Sequence, residues 1–162
     1  MTTKDNLATA FAGESQANRK YLLFAEKAAA EGHKGAARLF KAAAAAEQLH
    51  AFAEFKAAGG VKSTLENLEA AKAGETHEFT EMYPPMIETA KAEGEKAAER
   101  AFTLANAAEK VHAELYADAI ANIDGDDVYY LCPVCGYIHK GKAEGSCPIC
   151  GVPAAKFIEF AD

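Results

Sequence analysis

Apolar residues recur every three to four positions from about residue 5 to about residue 122, on a background of Ala, Glu, Lys and Leu. That spacing predicts a run of long amphipathic helices. The run is punctuated at Gly32, at Gly59-Gly60, at Pro84-Pro85 and at Gly94. Glycine just past the last periodic residue stops a helix, and Ser63 followed by Glu66 has the form of a capping box that opens one. Helices are therefore predicted near residues 4–31, 34–58, 64–92 and 95–122. The pattern then changes. In IDGDDVYYLCPVCGYIHKGKAEGSCPICGVPAAKFIEFAD, helix formers give way to Gly, Pro, aromatic and β-branched residues. A mainly α chain follows, with a four-helix bundle over residues 1–126 and a small second domain over 127–162.

The helical part repeats itself. AEGHKGAARLFKAAAAAEQLH (30–50) and AEGEKAAERAFTLANAAEKVH (92–112) agree at 12 of 21 positions with an offset of 62, as two copies of one helical hairpin would. Tyr21 and Tyr83 keep the offset, but Glu14 meets Glu75 only at an offset of 61. One residue has thus been inserted between Glu75 and Tyr83. A helix absorbs a single insertion as a π-bulge, so one is predicted in 75–83. A kink at Pro84 is the other way to absorb it.

The repeat changes the reading of the polar positions. Glu47 and His50 stand three apart, as do Glu109 and His112, so each pair shares one helix face. A lone Glu-x-x-His on a Glu-rich helix reads as a solvated face. Two copies at one place in a repeat do not, and both sit among apolar neighbours: Ala42 to Ala46, Leu49 and Phe52 around Glu47, and Ala107, Ala108 and Val111 around Glu109. Acids pointing inward need cations, because burying an unpaired carboxylate costs several kcal/mol. With Glu14 and Glu75 from the other helices, the set matches the ferritin-like di-metal plan of one Glu from each of two helices and Glu-x-x-His from each of two more. Carboxylate and imidazole together suit iron or manganese.

The second half carries an additional acid, Glu78 or Glu81, where the first half has none equivalent to Glu78. Tyr21 and Tyr83 lie on the ligand faces, either to hydrogen-bond a carboxylate or as core aromatics. His33, His77 and His139 match no repeated position and are read as non-ligands.

The small domain holds all four cysteines, as Cys132-Pro-Val-Cys135-Gly and Cys147-Pro-Ile-Cys150-Gly. Two such turns bring four thiolates to one tetrahedral metal, and a segment this short scarcely forms a core without one. Zinc and iron both fit the spacing. A redox-capable second site in the same chain favours iron as an electron carrier, with Tyr130, Tyr137 and Phe157 expected around it.

Charge and hydropathy exclude some partners. Net charge is −7, spread along the chain, so no basic surface awaits nucleic acid. The N-terminus has no signal-peptide pattern and no segment reaches a membrane span, so a cytoplasmic protein is expected.

Taken in order, FAGESQANRKY, AAEQLH, GETHEFTEMYP, AAEKVH and CPVCGY with CPICG resemble the motifs of the rubrerythrin family over nearly the whole chain. The resemblance implies a ferritin-like di-iron bundle with a rubredoxin-like domain, acting as a non-haem peroxidase that reduces hydrogen peroxide to water. It implies Glu14, Glu47, Glu75, Glu78, Glu109 and His112 as ligands of the oxidised di-iron centre, with Glu47 and Glu109 bridging. It implies that His50 takes one iron on reduction as Glu78 releases it, and that Cys132, Cys135, Cys147 and Cys150 hold the mononuclear iron. The implied electron donor is rubredoxin or a reductase that uses reduced nicotinamide. A head-to-tail homodimer is expected, with helix exchange at the connection over 59–73. An iron-handling ferroxidase of ferritin type is the alternative, disfavoured by the second metal domain.

Overall fold

The computed structural model describes residues 1–161. Helix α1 spans Thr3–Ala30, α2 Lys34–Ala57, α3 Thr64–His77, α4 Tyr83–Glu93 and α5 Lys96–Ala121, with a π-helical segment, Glu78–Met82, joining α3 to α4. Three short strands follow: β1 (Tyr129–Leu131), β2 (Ile138–Lys140) and, after a 3-10 turn at Ala154–Lys156, β3 (Ile158–Phe160). They form an antiparallel sheet in the order β2-β1-β3, with Tyr130 opposite His139 on one side and Glu159 on the other. Among the described residues, no helix is long and apolar enough to cross a membrane.

The inserted residue is absorbed as the repeat comparison requires. The π segment occupies Glu78–Met82, and Pro84 and Pro85 fall in the first turn of α4, where missing amide donors do little harm. The capping box is also present, with Ser63 accepting from the Glu66 amide and the Glu66 carboxylate accepting from the Ser63 amide. Gly32 and Gly94, repeat partners, both turn left-handed (φ +84° and +75°). Behind each, the next residue's amide reaches back to the helix just ended, His33 to Ala28 and Glu95 to Ala90. Because α3 starts at Thr64, the connection between hairpins is shorter than the expected 59–73.

The chain divides into two compact units, Met1–Lys62 and the part from Ser63 onward. In the first, α1 and α2 form a hairpin sealed by small residues. Ala37, Ala44 and Ala51 are buried at heptad spacing on α2, against Asn18, Ala25 and Ala28 of α1. The one buried polar side chain in that seam, Asn18, donates from its amide nitrogen to the Ala44 carbonyl at 2.7 Å. Large apolar residues lie elsewhere: Leu49 is 69% exposed and Phe52 52%, so the inward direction of Glu47 comes from the alanine seam and not from these neighbours.

In the second unit, α3, the π segment and α4 pack along α5, and the cysteine domain docks on the same helix. Leu104 of α5 reaches the cluster of Cys132, Cys135 and Cys147, while Lys140 of β2 pairs with Asp118 of α5 and with Asp127. Tyr137 and Phe157 pack around the cysteines as expected. Tyr130 does not. Its hydroxyl instead pairs with Glu159, opposite it on β3.

Candidate metal centres

Each helical unit assembles one carboxylate and imidazole cluster. In the hairpin, Glu14 of α1 meets Glu47 and His50 of α2, with one candidate ligand atom from each within 4.8 Å of the others. In the second unit, Glu75 of α3 meets Glu109 and His112 of α5 in the same manner. The repeat thus gives two triads of identical composition. The i, i+3 spacing on α2 and α5 lets each imidazole touch its own glutamate, His50 Nδ1 to Glu47 at 2.9 Å and His112 Nδ1 to Glu109 at 2.7 Å.

The electrostatics of the triads call for cations. Glu14 and Glu47 share a hydrogen bond that holds the Glu14 carboxyl above its ordinary pKa, helped by burial and by the charges of Glu47 and Glu54. Glu75 is likewise held up, by burial first, then by the charge of Glu109 and a hydrogen bond with it. Two carboxylates at hydrogen-bond distance cannot both be charged cheaply; they share a proton or bind a metal ion.

Glu78, at the start of the π segment, lies outside the tight triad, yet burial and the charge of Glu75 raise its carboxyl pKa. Glu81 is 73% exposed and faces His77 at 3.4 Å, the geometry of a surface pair. The two repeated tyrosines part company. Tyr21 packs against Phe24 and Phe40 and Tyr83 against Phe102, and the Tyr83 phenol pKa is raised by burial first and then by the charges of Glu109, Glu78 and Glu75. His33 sits at the N-cap of α2 and His139 accepts from or donates to the Tyr137 hydroxyl at 3.1 Å.

His112 has a second contact. Its Nε2 lies 2.8 Å from the carbonyl oxygen of Gly136, the residue after Cys135. With Nε2–H donating there, Nδ1 presents its lone pair to the Glu75 and Glu109 side. A backbone carbonyl that fixes the tautomer and ring direction of an imidazole in this way is the usual support of a metal-ligating histidine. One wall of the ring borders an apolar pocket of about 430 Å³ lined by Leu68, Leu115, Tyr116, Leu131 and Ile138.

The four cysteines are free thiols with Sγ atoms 3.5 Å apart from Cys132 to Cys135, Cys135 to Cys147 and Cys132 to Cys150. A tetrahedral ion at thiolate bond lengths sets sulfurs about 3.8 Å apart, so the four sit at the corners such an ion requires. Burial raises the Cys147 pKa, but the amides of Cys150 and Ile149 outweigh it and bring the thiol down to about 7. In the other turn the Tyr137 amide also favours the Cys135 thiolate, but burial and the neighbouring thiols hold that thiol well above its ordinary value, so only a metal ion would keep all four deprotonated.

The sequence model of the Rubrerythrin family matches residues 5–120, and that of the rubredoxin-like domain of rubrerythrin matches residues 130–158. The chain belongs to the rubrerythrin family. It is 40% identical to nigerythrin of Nitratidesulfovibrio vulgaris, covering 98% of this chain and 87% of the relative. It is 38% identical to rubrerythrin-2 of Clostridium acetobutylicum, covering 98% and 96%. A solved structure of fully reduced, all-ferrous nigerythrin matches with a TM-score of 0.61 over 99% of this chain and 87% of that one. As a rubrerythrin-family member, the chain has a ferritin-like helical fold with a rubredoxin-like cysteine domain, a di-iron centre and one iron on four cysteines. It is an oxidoreductase of the di-iron class associated with oxidative stress.

One residue of the hairpin triad's surroundings escaped the sequence reading. Glu54 stands seven positions after Glu47 and four after His50, and its Oε2 is buried without a hydrogen-bond partner. The signal was available: the offset of 62 aligns Glu54 with Tyr116, whose phenol pKa is raised by burial and by Glu75 and Glu109.

Proposed function

We propose that this rubrerythrin-family chain reduces hydrogen peroxide to water with electrons that enter through the cysteine domain. The observation that carries the reading is the His112 imidazole, held between Glu109 and the Gly136 carbonyl beside Cys135. When bound, the di-iron centre supplies two electrons to cleave the O–O bond and the four-cysteine iron restores them singly. The proposed di-iron ligands are Glu14, Glu47, Glu75, Glu78, Glu109 and His112, with His50 taking one ion in the reduced state. The four cysteines hold the electron-transfer iron, and residues 1–126 and 127–162 are the two functional domains.

The chain's own groups have definable tasks. Glu47 and Glu109 each touch both a second carboxylate and an imidazole, which suits them to bridging. The π segment presents Glu78 from a stretch with irregular backbone bonding, where a ligand can swing without breaking a whole helix. Tyr83 offers a protonated phenol beside the carboxylates, able to donate a hydrogen bond to them. The upstream donor is rubredoxin or a nicotinamide-linked reductase.

The test is direct. Reduced anaerobically and mixed with stoichiometric peroxide, the protein should recover the red absorption of the oxidised four-cysteine iron much faster than a Glu47→Ala variant. Equal rates in the two proteins would sink the peroxidase reading. The active form is further proposed to be a homodimer with helices exchanged at residues 58–63. Leu23 (64% exposed), Leu39 (70%) and Leu49 (69%) of the hairpin support it, since soluble monomers rarely leave so many large apolar side chains open. Sedimentation should give twice the chain mass, and a monomer of full activity would count against it.

A further inference from the structure

On α2, Glu47, His50 and Glu54 follow one another at i, i+3 and i+7, a spacing that keeps all three on one helix face. Side chains on a helix lean toward its N-terminus, so the Glu54 carboxylate is directed back along the helix, toward His50 and Glu47. The residue is half-buried and its Oε2 is almost inaccessible and has no hydrogen-bond partner among the described residues, although the same hairpin satisfies its buried Asn18. Leaving a buried carboxylate oxygen unpaired is costly. The charge of Glu54 is felt at Glu14 across the hairpin, which places it on the side of the triad and not on the solvent face.

No equivalent acid exists in the other half of the repeat, where Tyr116 takes the position. A phenol there can donate a hydrogen bond toward Glu75 and Glu109; a carboxylate in the hairpin can only accept one or bind a cation. The two triads are therefore alike in composition but not in surroundings.

We propose that Glu54 is a fourth oxygen or nitrogen donor, beside Glu14, Glu47 and His50, for the metal ion held by the α1–α2 hairpin. The proposal rests on the metal-binding reading of that triad. With Glu54 added, the hairpin offers three carboxylates and an imidazole, the same donor set that Glu75, Glu78, Glu109 and His112 offer in the second unit.

Manganese(II) is a suitable probe, since it prefers carboxylate and imidazole to the thiolates of the cysteine domain. Titrated into metal-free full-length protein and followed by the EPR of free and bound ion, the wild type should take up two ions per chain. Glu54→Gln, nearly isosteric, should weaken one of them by about tenfold and alter the line shape of the bound ion. Glu54→Ala should do the same, while Glu26→Gln, an exposed substitution on α1, should change neither. Circular dichroism of each metal-free variant checks that the helices are intact. Two ions bound with affinity and line shape unchanged in both Glu54 variants would overturn the proposal and leave the metal-binding reading standing. No manganese bound by the wild type would overturn both.

Discussion

Replacing His112 with alanine is expected to slow peroxide-driven reoxidation of the four-cysteine iron by at least about a hundredfold, measured by stopped-flow absorbance after anaerobic reduction. The size follows from the two contacts that one ring makes. Nδ1 stands 2.7 Å from Glu109, so the substitution removes a proposed metal ligand, and Nε2 stands 2.8 Å from the Gly136 carbonyl, so it also removes the shortest hydrogen-bonded link to the cysteine turn. The same ring is 15% exposed and forms part of the wall of the apolar pocket beside Leu68 and Tyr116, which the substitution removes. His50 makes a useful contrast. It pairs with Glu47 beside Glu14 and is 59% exposed, so His50→Ala should weaken metal binding without severing a link to the cysteines. Gly136→Ala separates the two roles further. Its φ of +80° costs an L-residue about 1–2 kcal/mol, with no steric clash at the added Cβ, so the carbonyl shifts while every ligand remains. It should retain both metals and show an intermediate rate. A His112→Ala protein that binds metal and reoxidises at the wild-type rate would refute the link.

Much of this arrangement could be read before any coordinates, for identifiable reasons. The repeat carried the most information, because two copies of Glu-x-x-His at one offset are improbable by chance, and because a mismatch of one residue has few ways to be absorbed in a helix. The π segment at Glu78–Met82 and the paired left-handed turns at Gly32 and Gly94 are consequences of that alignment. The cysteine turns were legible for a different reason, since metal geometry leaves little freedom once four thiols occur at such spacing. What could not be read were choices made by packing. Tyr21 and Tyr83 are equivalent in sequence and each packs on the equivalent phenylalanine, Phe40 or Phe102, yet Tyr21 gains Phe24 as well while the Tyr83 phenol also feels the carboxylates. Leu49 and Phe52 suggested an inward face for Glu47, but alanines define the seam and the large side chains are exposed. Glu54 looked like one more acid on an acidic helix, and only its burial distinguishes it.

The carboxylates that await metal should make the metal-free fold respond to pH in the direction opposite to that of the loaded protein. Glu75 and Glu78 are raised chiefly by burial and Glu14 by its hydrogen bond with Glu47. A carboxyl whose folded-state pKa is raised holds its proton more tightly in the fold than in the unfolded chain. Its contribution to stability is therefore complete below the ordinary value of 4.5 and is lost as pH rises through the raised one. The metal-free melting temperature should accordingly fall as pH rises from about 4.5 towards neutrality. That window stays below the Cys147 thiol, whose value of about 7 is depressed and acts in the opposite sense at higher pH. Glu75 and Glu78 weigh more than Glu14, where solvent screens the pair. Metal reverses the slope, because an ion needs the same carboxyls deprotonated and acid competes with it. At free metal a hundred times its dissociation constant, binding adds about 2.7 kcal/mol, or roughly 5–10 °C for a chain of this size. Glu75→Gln should flatten both slopes, since it removes the proton from one curve and a ligand from the other. Calorimetry that found the metal-free and loaded proteins moving in parallel with pH would show that these carboxyls are neither strained without metal nor engaged by it.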